Sequence, residues 1–323
     1  MKILALCGDG FLGSHFVDQA VSLGHEVTVF DRFPYQISRN LEHQRGKIRF
    51  VSGEFANRET LSNALKAQDA VCHFICATTP VESWDDPYIE IEENLRATLQ
   101  LCELAAQQHV RKIVFPSSGG TIYGPQNHPV DEKATPHPFS PHGITKLATE
   151  YFLNYFRQRS GLAADIYRIG NAYGPRQSMG RPQGVIPVWM RDILAGAEIQ
   201  VYGDETTLRD YVYIKDIAFL MTHSLQDLDS SEVYNLGTGK GTSILQLLRI
   251  FQRVIDMPVR YRTHLRRPSD NAAIVLDSSK LLAHYPGFQF QTLEDKIPET
   301  WEYVKTWHRE AGGTLAAGQG EYG

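Results

Sequence analysis

A chain of 323 residues can bury a large core and points to two domains. Its composition, 42% apolar and 21% charged, is that of an ordinary globular protein, and a formal charge of −5 argues against a basic nucleic-acid or anionic-membrane binder. Neither nucleic acid nor membrane is therefore expected as a partner, although a few local arginines suffice for an anionic small substrate.

From the N-terminus, residues 3–6, 26–30, 48–51, 70–75 and 112–115 read as strands, with 164–169 a sixth. Helical periodicity falls between or after them, around Val21 and at 60–66, 91–108 and 144–157. This alternation predicts an α/β fold, a Rossmann-type doubly wound parallel sheet, over residues 1–170. Beyond Asn171 prolines and glycines interrupt the rhythm, and short strands at 199–202 and 259–262 suggest a smaller mixed α/β substrate domain. That domain is assigned 171–210 and 237–310, with 211–236 returning to the first domain and 311–323 a disordered glycine-rich tail.

The apolar run after Met1 is too short for a signal-peptide core, and no segment approaches a membrane span, so a cytoplasmic protein is expected. Cys72 and Cys76, four apart in a predicted strand, share a face without meeting disulfide geometry. With Cys7 and Cys102 they lack zinc spacing, so reduced thiols and no metal site are expected.

Gly8-Asp9-Gly10-Phe11-Leu12-Gly13 follows the first strand and opens a helix. Glycines there allow a tight turn and close backbone approach to a pyrophosphate, with the helix N–H groups facing the phosphates. Asp31 closes the second strand, where a carboxylate accepts from a ribose 2′-OH and repels a 2′-phosphate; Arg32 beside it is suited to pair with one. NAD is favoured over NADP on this balance.

These features resemble the extended short-chain dehydrogenase/reductase family, and within it the NAD-dependent sugar-nucleotide epimerases and dehydratases (UDP-glucose 4-epimerase-like), over roughly residues 1–305. Further matches are Gly53-Glu54-Phe55 at the adenine turn, His73-Phe74-Ile75-Cys76 along the cofactor, and Asn94, backed by Thr98, near the nicotinamide half. Ser117 to Gly124 matches the fifth-strand loop and Asn171 to Arg176 the start of substrate binding. Cys7 stands where the family has the first glycine of its loop. The resemblance implies cofactor contacts from Gly8, Gly10, Phe11, Leu12, Gly13, Asp31, Arg32, Glu54, Phe55, Phe74, Ile75, Cys76, Asn94, Lys146 and Ile169. It assigns Asn171, Val185, Tyr202, Arg209, Arg267 and Asp270 to a nucleoside-diphosphate sugar, taken to be UDP-linked. The two arginines suit a diphosphate because a planar guanidinium donates paired hydrogen bonds to its oxygens. Family members pair the apolar faces corresponding to 91–108 and 144–157 in a dimer, so the resemblance implies a homodimer, although packing within one chain also accounts for those faces.

The proton chemistry departs from the family. Members place a tyrosine four residues before the lysine, whereas Ser140-Pro141-His142-Gly143-Ile144-Thr145-Lys146 has His142. Gly119 stands where a Ser or Thr usually binds the reacting oxygen; Ser118 and Thr121 flank it, and Thr121 is the favoured substitute. The Asp-Glu pair of dehydratases is absent, which argues against water elimination. Imidazole ordinarily holds its proton about 5 kcal/mol less tightly than phenolate does. Lys146 and an oxidised nicotinamide are expected to lower His142 further, leaving it neutral near pH 7.

Three readings of His142 stay open: a working acid/base, a spectator to another proton carrier, or the mark of a site that binds without turnover. The leading expectation is C4 epimerisation of a UDP-sugar by oxidation and re-reduction. The alternatives are an NAD(P)-dependent 4-ketoreductase and a silent sugar-nucleotide binder. Tyr123 is a weak candidate for replacement base, His128 and His137 read as solvated loop residues, and Tyr151 and Tyr155 as helix-interface residues.

Overall fold

A computed structural model describes residues 1–33, 38, 40–78, 80–124, 129–179, 184–266 and 273–310. Arg267, Asp270, His128 and the tail expected over 311–323 lie outside the described residues. The chain divides into two units, Met1–Gly124, Asp131–Ile169 and Ile217–Leu236 in one, and Pro125–Val130, Gly170–Asp216 and Gly237–Gly323 in the other.

The first unit is built on seven strands: β1 (Lys2–Leu6), β2 (Glu26–Asp31), β3 (Arg49–Ser52), β4 (Ala70–His73), β5 (Lys112–Ser118), β6 (Ala163–Ile169) and β7 (Val233–Leu236). They form one parallel sheet in the order β7-β6-β5-β4-β1-β2-β3. Ile3, Leu4, Ala5 and Leu6 of β1 are all fully buried, as a strand covered on both faces requires. Strand β4 stops at His73 rather than at residue 75, so Phe74 to Thr78 leave the sheet and Cys76 no longer shares a strand face with Cys72. Both cysteines are free thiols.

The helices are α1 (Phe11–Ser22), α2 (Arg58–Leu65), α3 (Ala97–Gln107) and α4 (Pro141–Ser160). Leu61 and Leu65 of α2, Leu101 and Cys102 of α3, and Leu153 and Phe156 of α4 join Leu4, Leu6, Val71 and Ile113 in one core cluster. Burial of such side chains contributes about 1.5–3 kcal/mol each. Helix α4 begins at Pro141, earlier than expected, because Ser140 caps it by accepting from Gly143 N (3.2 Å) and proline suits the first helical position. His142 thereby sits in its first turn.

Two departures have local causes. The stretch expected as one helix over 91–108 starts as a seven-residue π-helix, Glu90–Arg96, before α3. The segment returning to the first unit begins at Ile217 rather than 211, because Tyr211–Tyr213 pairs in parallel with Asn171–Tyr173. Fully buried Lys112 holds this segment, donating to Asp165 Oδ2 (2.6 Å), Asp227 O (2.6 Å) and Ser230 Oγ (2.9 Å).

In the second unit, Ile199–Tyr202 pairs with Tyr261–His264, a strand displaced from the expected 259–262. Leu208–Arg209 pairs with Thr242–Ser243 and Ala273–Ile274. Helix Ile244–Val254 carries a capping box between Ser243 and Gln246.

Candidate active site

In a sheet of this order, ligands bind outside the carboxyl ends of the strands where the winding reverses, here between β1 and β4. The turn after β1 is built for close approach. A Cβ on Gly13 would stand 2.3 Å from Cys7 O, so α1 can pack on the turn only with glycine there. Cys7 itself takes a left-handed φ of 55°, which a side chain tolerates at a cost of about 1–2 kcal/mol. It thus adopts a conformation natural to glycine. Gly10 at the N-cap of α1 supplies no side-chain cap, leaving the N–H groups of the first turn directed outward.

Asp31 closes β2 beside this turn and accepts from Asp9 N (3.1 Å) and Arg32 N (2.8 Å). Burial pushes its carboxyl up to about 6 against these hydrogen bonds. Phe74 packs on Phe16 of α1 (ring centroids 5.3 Å apart), and Phe55 on His73 (5.1 Å). Glu54 and Arg32 are exposed, and Ile169 is buried at the end of β6.

The end of β4 meets α4 and the π-helix at a second corner. His142 Nδ1 lies 3.1 Å from Glu90 Oε1, both side chains being buried. Glu90 also accepts from Thr78 Oγ1 (2.5 Å) and Asn94 Nδ2 (3.0 Å), while Asn94 accepts from Ala77 N (2.9 Å). Burial works against the Glu90 carboxylate, but the hydrogen bonds from His142, Thr78 and Asn94 outweigh it and hold its pKa below the usual range. On His142, burial and nearby Lys146 disfavour the charged ring; hydrogen bonds with Cys76 and Glu90 overcome them and raise it to about 8. The expectation of a lowered His142 is therefore corrected: a buried carboxylate and a thiol outweigh the lysine. Cys76 is the counterpart. Burial would raise its thiol, yet Lys146 and His142 bring it down to about 7.

Gly143 fixes the approach of α4, since a Cβ there would meet Thr121 O at 2.5 Å. Lys146, one turn along from His142, donates to Pro116 O (3.2 Å) and stands over the Phe115 ring at 4.7 Å. Thr121 Oγ1 is buried and has no hydrogen-bond partner among the described residues. Ser118 is half-buried at the end of β5, whereas Ser117 is committed to Glu150 Oε1 (2.6 Å). Glu150 in turn pairs with Arg168 (2.7 Å), and Arg168 donates to Tyr123 Oη (2.9 Å). Tyr123 donates to Asn235 Oδ1 (2.7 Å), and burial raises its phenol above the ordinary value. This network makes Tyr123 a structural member of the core rather than a replacement base.

The second unit holds the remaining expected residues. Asn171 N donates to Asp210 O (2.6 Å), and Val185 opens the helix Val185–Leu194. Tyr202 stacks on His264 with centroids 4.8 Å apart. Arg209 Nη1 donates to Leu208 O (2.9 Å). Its neighbour Asp210, fully buried, accepts from Thr238 Oγ1 (2.6 Å), Gly239 N (3.1 Å) and Leu276 N (3.1 Å) and so fixes the backbone that carries Arg209.

A model of the NAD dependent epimerase/dehydratase family matches residues 3–237. The chain belongs to that family. It is 29% identical to a UDP-glucose 4-epimerase of Mycolicibacterium smegmatis over 94% of this chain and 99% of the relative. Its fold is similar to that of UDP-glucose 4-epimerase from Thermotoga maritima with UDP-glucose (TM-score 0.85, 30% identity, 95% and 99% of the two chains). It is similar also to the UDP-glucose 4-epimerase of Thermus thermophilus in complex with NAD (TM-score 0.84, 30% identity, 94% and 99%).

Within the epimerase/dehydratase fold, the structure gathers His142, Lys146, Cys76 and Asn94 at one corner and Gly8, Gly10, Gly13 and Asp31 at the phosphate turn. Glu90 and Thr78 were missed in the sequence. Glu90 lies among Glu92 and Glu93, both exposed, and only the winding of the π-helix separates one acid from the others. Its position one turn before Asn94 was the available signal.

Proposed function

We propose that this protein is a UDP-sugar 4-epimerase that holds NAD and uses His142 in place of the family's tyrosine. The observation that carries this reading is the pair His142–Lys146 on the first turns of α4, beside a phosphate turn shaped for a dinucleotide. The uncapped N-terminus of α1, the close packing of Gly13 and the carboxylate of Asp31 fit a pyrophosphate and a diol. Similarity to relatives named UDP-glucose 4-epimerase, including one bound to UDP-glucose and one to NAD, supports the same assignment.

NAD bound at this turn would supply reversible hydride transfer at C4 of the sugar. His142 accepts the C4 hydroxyl proton as that hydride leaves and gives it back when the ketone is reduced. Lys146 orients the nicotinamide ribose. Thr121, whose buried hydroxyl has no partner among the described residues, takes over the reacting oxygen from the position occupied by Gly119, with Ser118 alongside. Asn171, Val185, Tyr202 and Arg209 are the described residues assigned to the nucleoside diphosphate.

A second reading rests on a specific feature. With His142 raised to about 8, the acid form prevails at neutral pH, which suits proton donation to a ketone. An NAD(P)H-dependent 4-ketoreductase is the corresponding activity. Incubation with a panel of UDP-sugars separates the two. Epimer formation with the bound NAD recovered oxidised supports epimerisation, and stoichiometric consumption of added NADH or NADPH overturns it. Binding of UDP-sugar and NAD with neither product identifies a silent binder.

The assembly we propose is a homodimer through α4 and the π-helix. Ile144, Tyr151 and Tyr155 recur along α4 and, like Tyr88 and Ile91, are exposed in the single chain. Light scattering should give a dimer, and Tyr151→Glu a monomer.

A further inference from the structure

A buried imidazole acts as a directed acid/base only if something decides which nitrogen holds the resident proton. Here the candidates are few. The charged and titratable groups facing His142 are Glu90 from the π-helix, Cys76 from the segment after β4, and Lys146 from its own helix. Among the described residues, the acceptor placed at Nδ1 is Glu90, at 3.1 Å, itself immobilised by Thr78 and Asn94, while Cys76 is a second hydrogen-bonding partner of the ring. An ionised carboxylate accepts and cannot donate, so Nδ1 must carry the hydrogen. Nε2 is then the nitrogen that gains and loses the exchangeable proton, with the Cys76 sulfur as its neighbour.

The setting reinforces this. His142 sits at the N-terminal turn of α4, where the helix dipole disfavours a cation, and a fixed carboxylate opposes that field. Glu90 and Asn94 stand on a π-helix, a wide winding found most often at functional sites. We propose that Glu90 is the positioning residue of the proton-transfer step, fixing the Nδ1–H tautomer of His142 so that Nε2 faces the reacting oxygen. The assignment rests on the reading of His142 as the acid/base. Glu90 touches no substrate in it; it acts through the ring.

The test uses the purified full-length protein with NAD added, labelled with ¹⁵N-histidine. In the native protein above its titration midpoint, the ¹⁵N shifts of His142 should report a protonated Nδ1 and a bare Nε2. The opposite tautomer overturns the proposal, and this arm needs no variant. In Glu90→Gln, provided circular dichroism shows a folded protein, the His142 midpoint should fall by a pH unit or more and the tautomer preference should weaken. Glu90→Asp should restore part of both. A midpoint and tautomer unchanged in Glu90→Gln overturn the assignment. With an active UDP-sugar, Glu90→Gln should move the pH profile of kcat to lower pH while KM changes less than twofold. A superimposable profile counts against a positioning role. If no UDP-sugar turns over, the functional reading fails, but the tautomer measurement still decides the role of Glu90.

Discussion

The glycine turn proposed to hold the phosphates and the His142 corner proposed for proton transfer lie at the ends of neighbouring strands, and the chain treats them differently. At the turn, backbone geometry does the work. Cys7 replaces a glycine yet adopts a glycine's left-handed conformation, so the turn is preserved at a small cost. At the corner, side-chain chemistry is the substance. There His142 comes with a buried carboxylate and a thiol that reset its proton affinity. A backbone site tolerates a foreign side chain that keeps φ and ψ. A proton-transfer site changes whenever its charges change.

The sharpest way to break this contrast is His142→Ala. It should lower kcat by about 10²–10⁴-fold, the usual worth of a general acid/base, while NAD titration by fluorescence quenching stays near native. Full retained turnover would show that another group or a water carries the proton. Next in size is Gly13→Val, which forces a side chain into the space of Cys7 O. Overpacking of about 1–3 kcal/mol should appear as weakened NAD binding or a lowered Tm. A variant that binds NAD as tightly as the native protein would remove the turn from the site.

Asp31→Asn comes third. Loss of a charged acceptor is worth about 1.5–3 kcal/mol, so the preference for NAD over NADP should shrink about tenfold or more in competition titrations. The pH responses are smaller and belong to the corner. His142 releases its proton near 8, so reduction of bound NAD by a UDP-sugar should speed up as pH rises through that value. Hydride return to a 4-keto sugar should slow over the same window; stopped-flow absorbance at the reduced nicotinamide band follows both. Last, Cys76, at about 7, should be alkylated by iodoacetamide at pH 7 ahead of Cys102, which burial pushes up to about 12. Peptide mass mapping reads this, and equal labelling would deny that Lys146 and His142 lower the Cys76 thiol.

By itself the sequence determined the parallel sheet, the phosphate turn and the oddity of His142. Strand-helix periodicity and a glycine pattern are local properties, and each is written within a few tens of residues. The place of Lys146 one turn after His142 is likewise fixed by helical spacing. What only the tertiary structure decided was the company of His142. Glu90, Cys76 and His142 come from three separate segments, brought together because β4 ends early, the π-helix turns one acid of three inward, and Gly143 lets α4 close on Thr121. Proton affinity depends on distances between charges in a low-dielectric interior, and those distances exist only after folding.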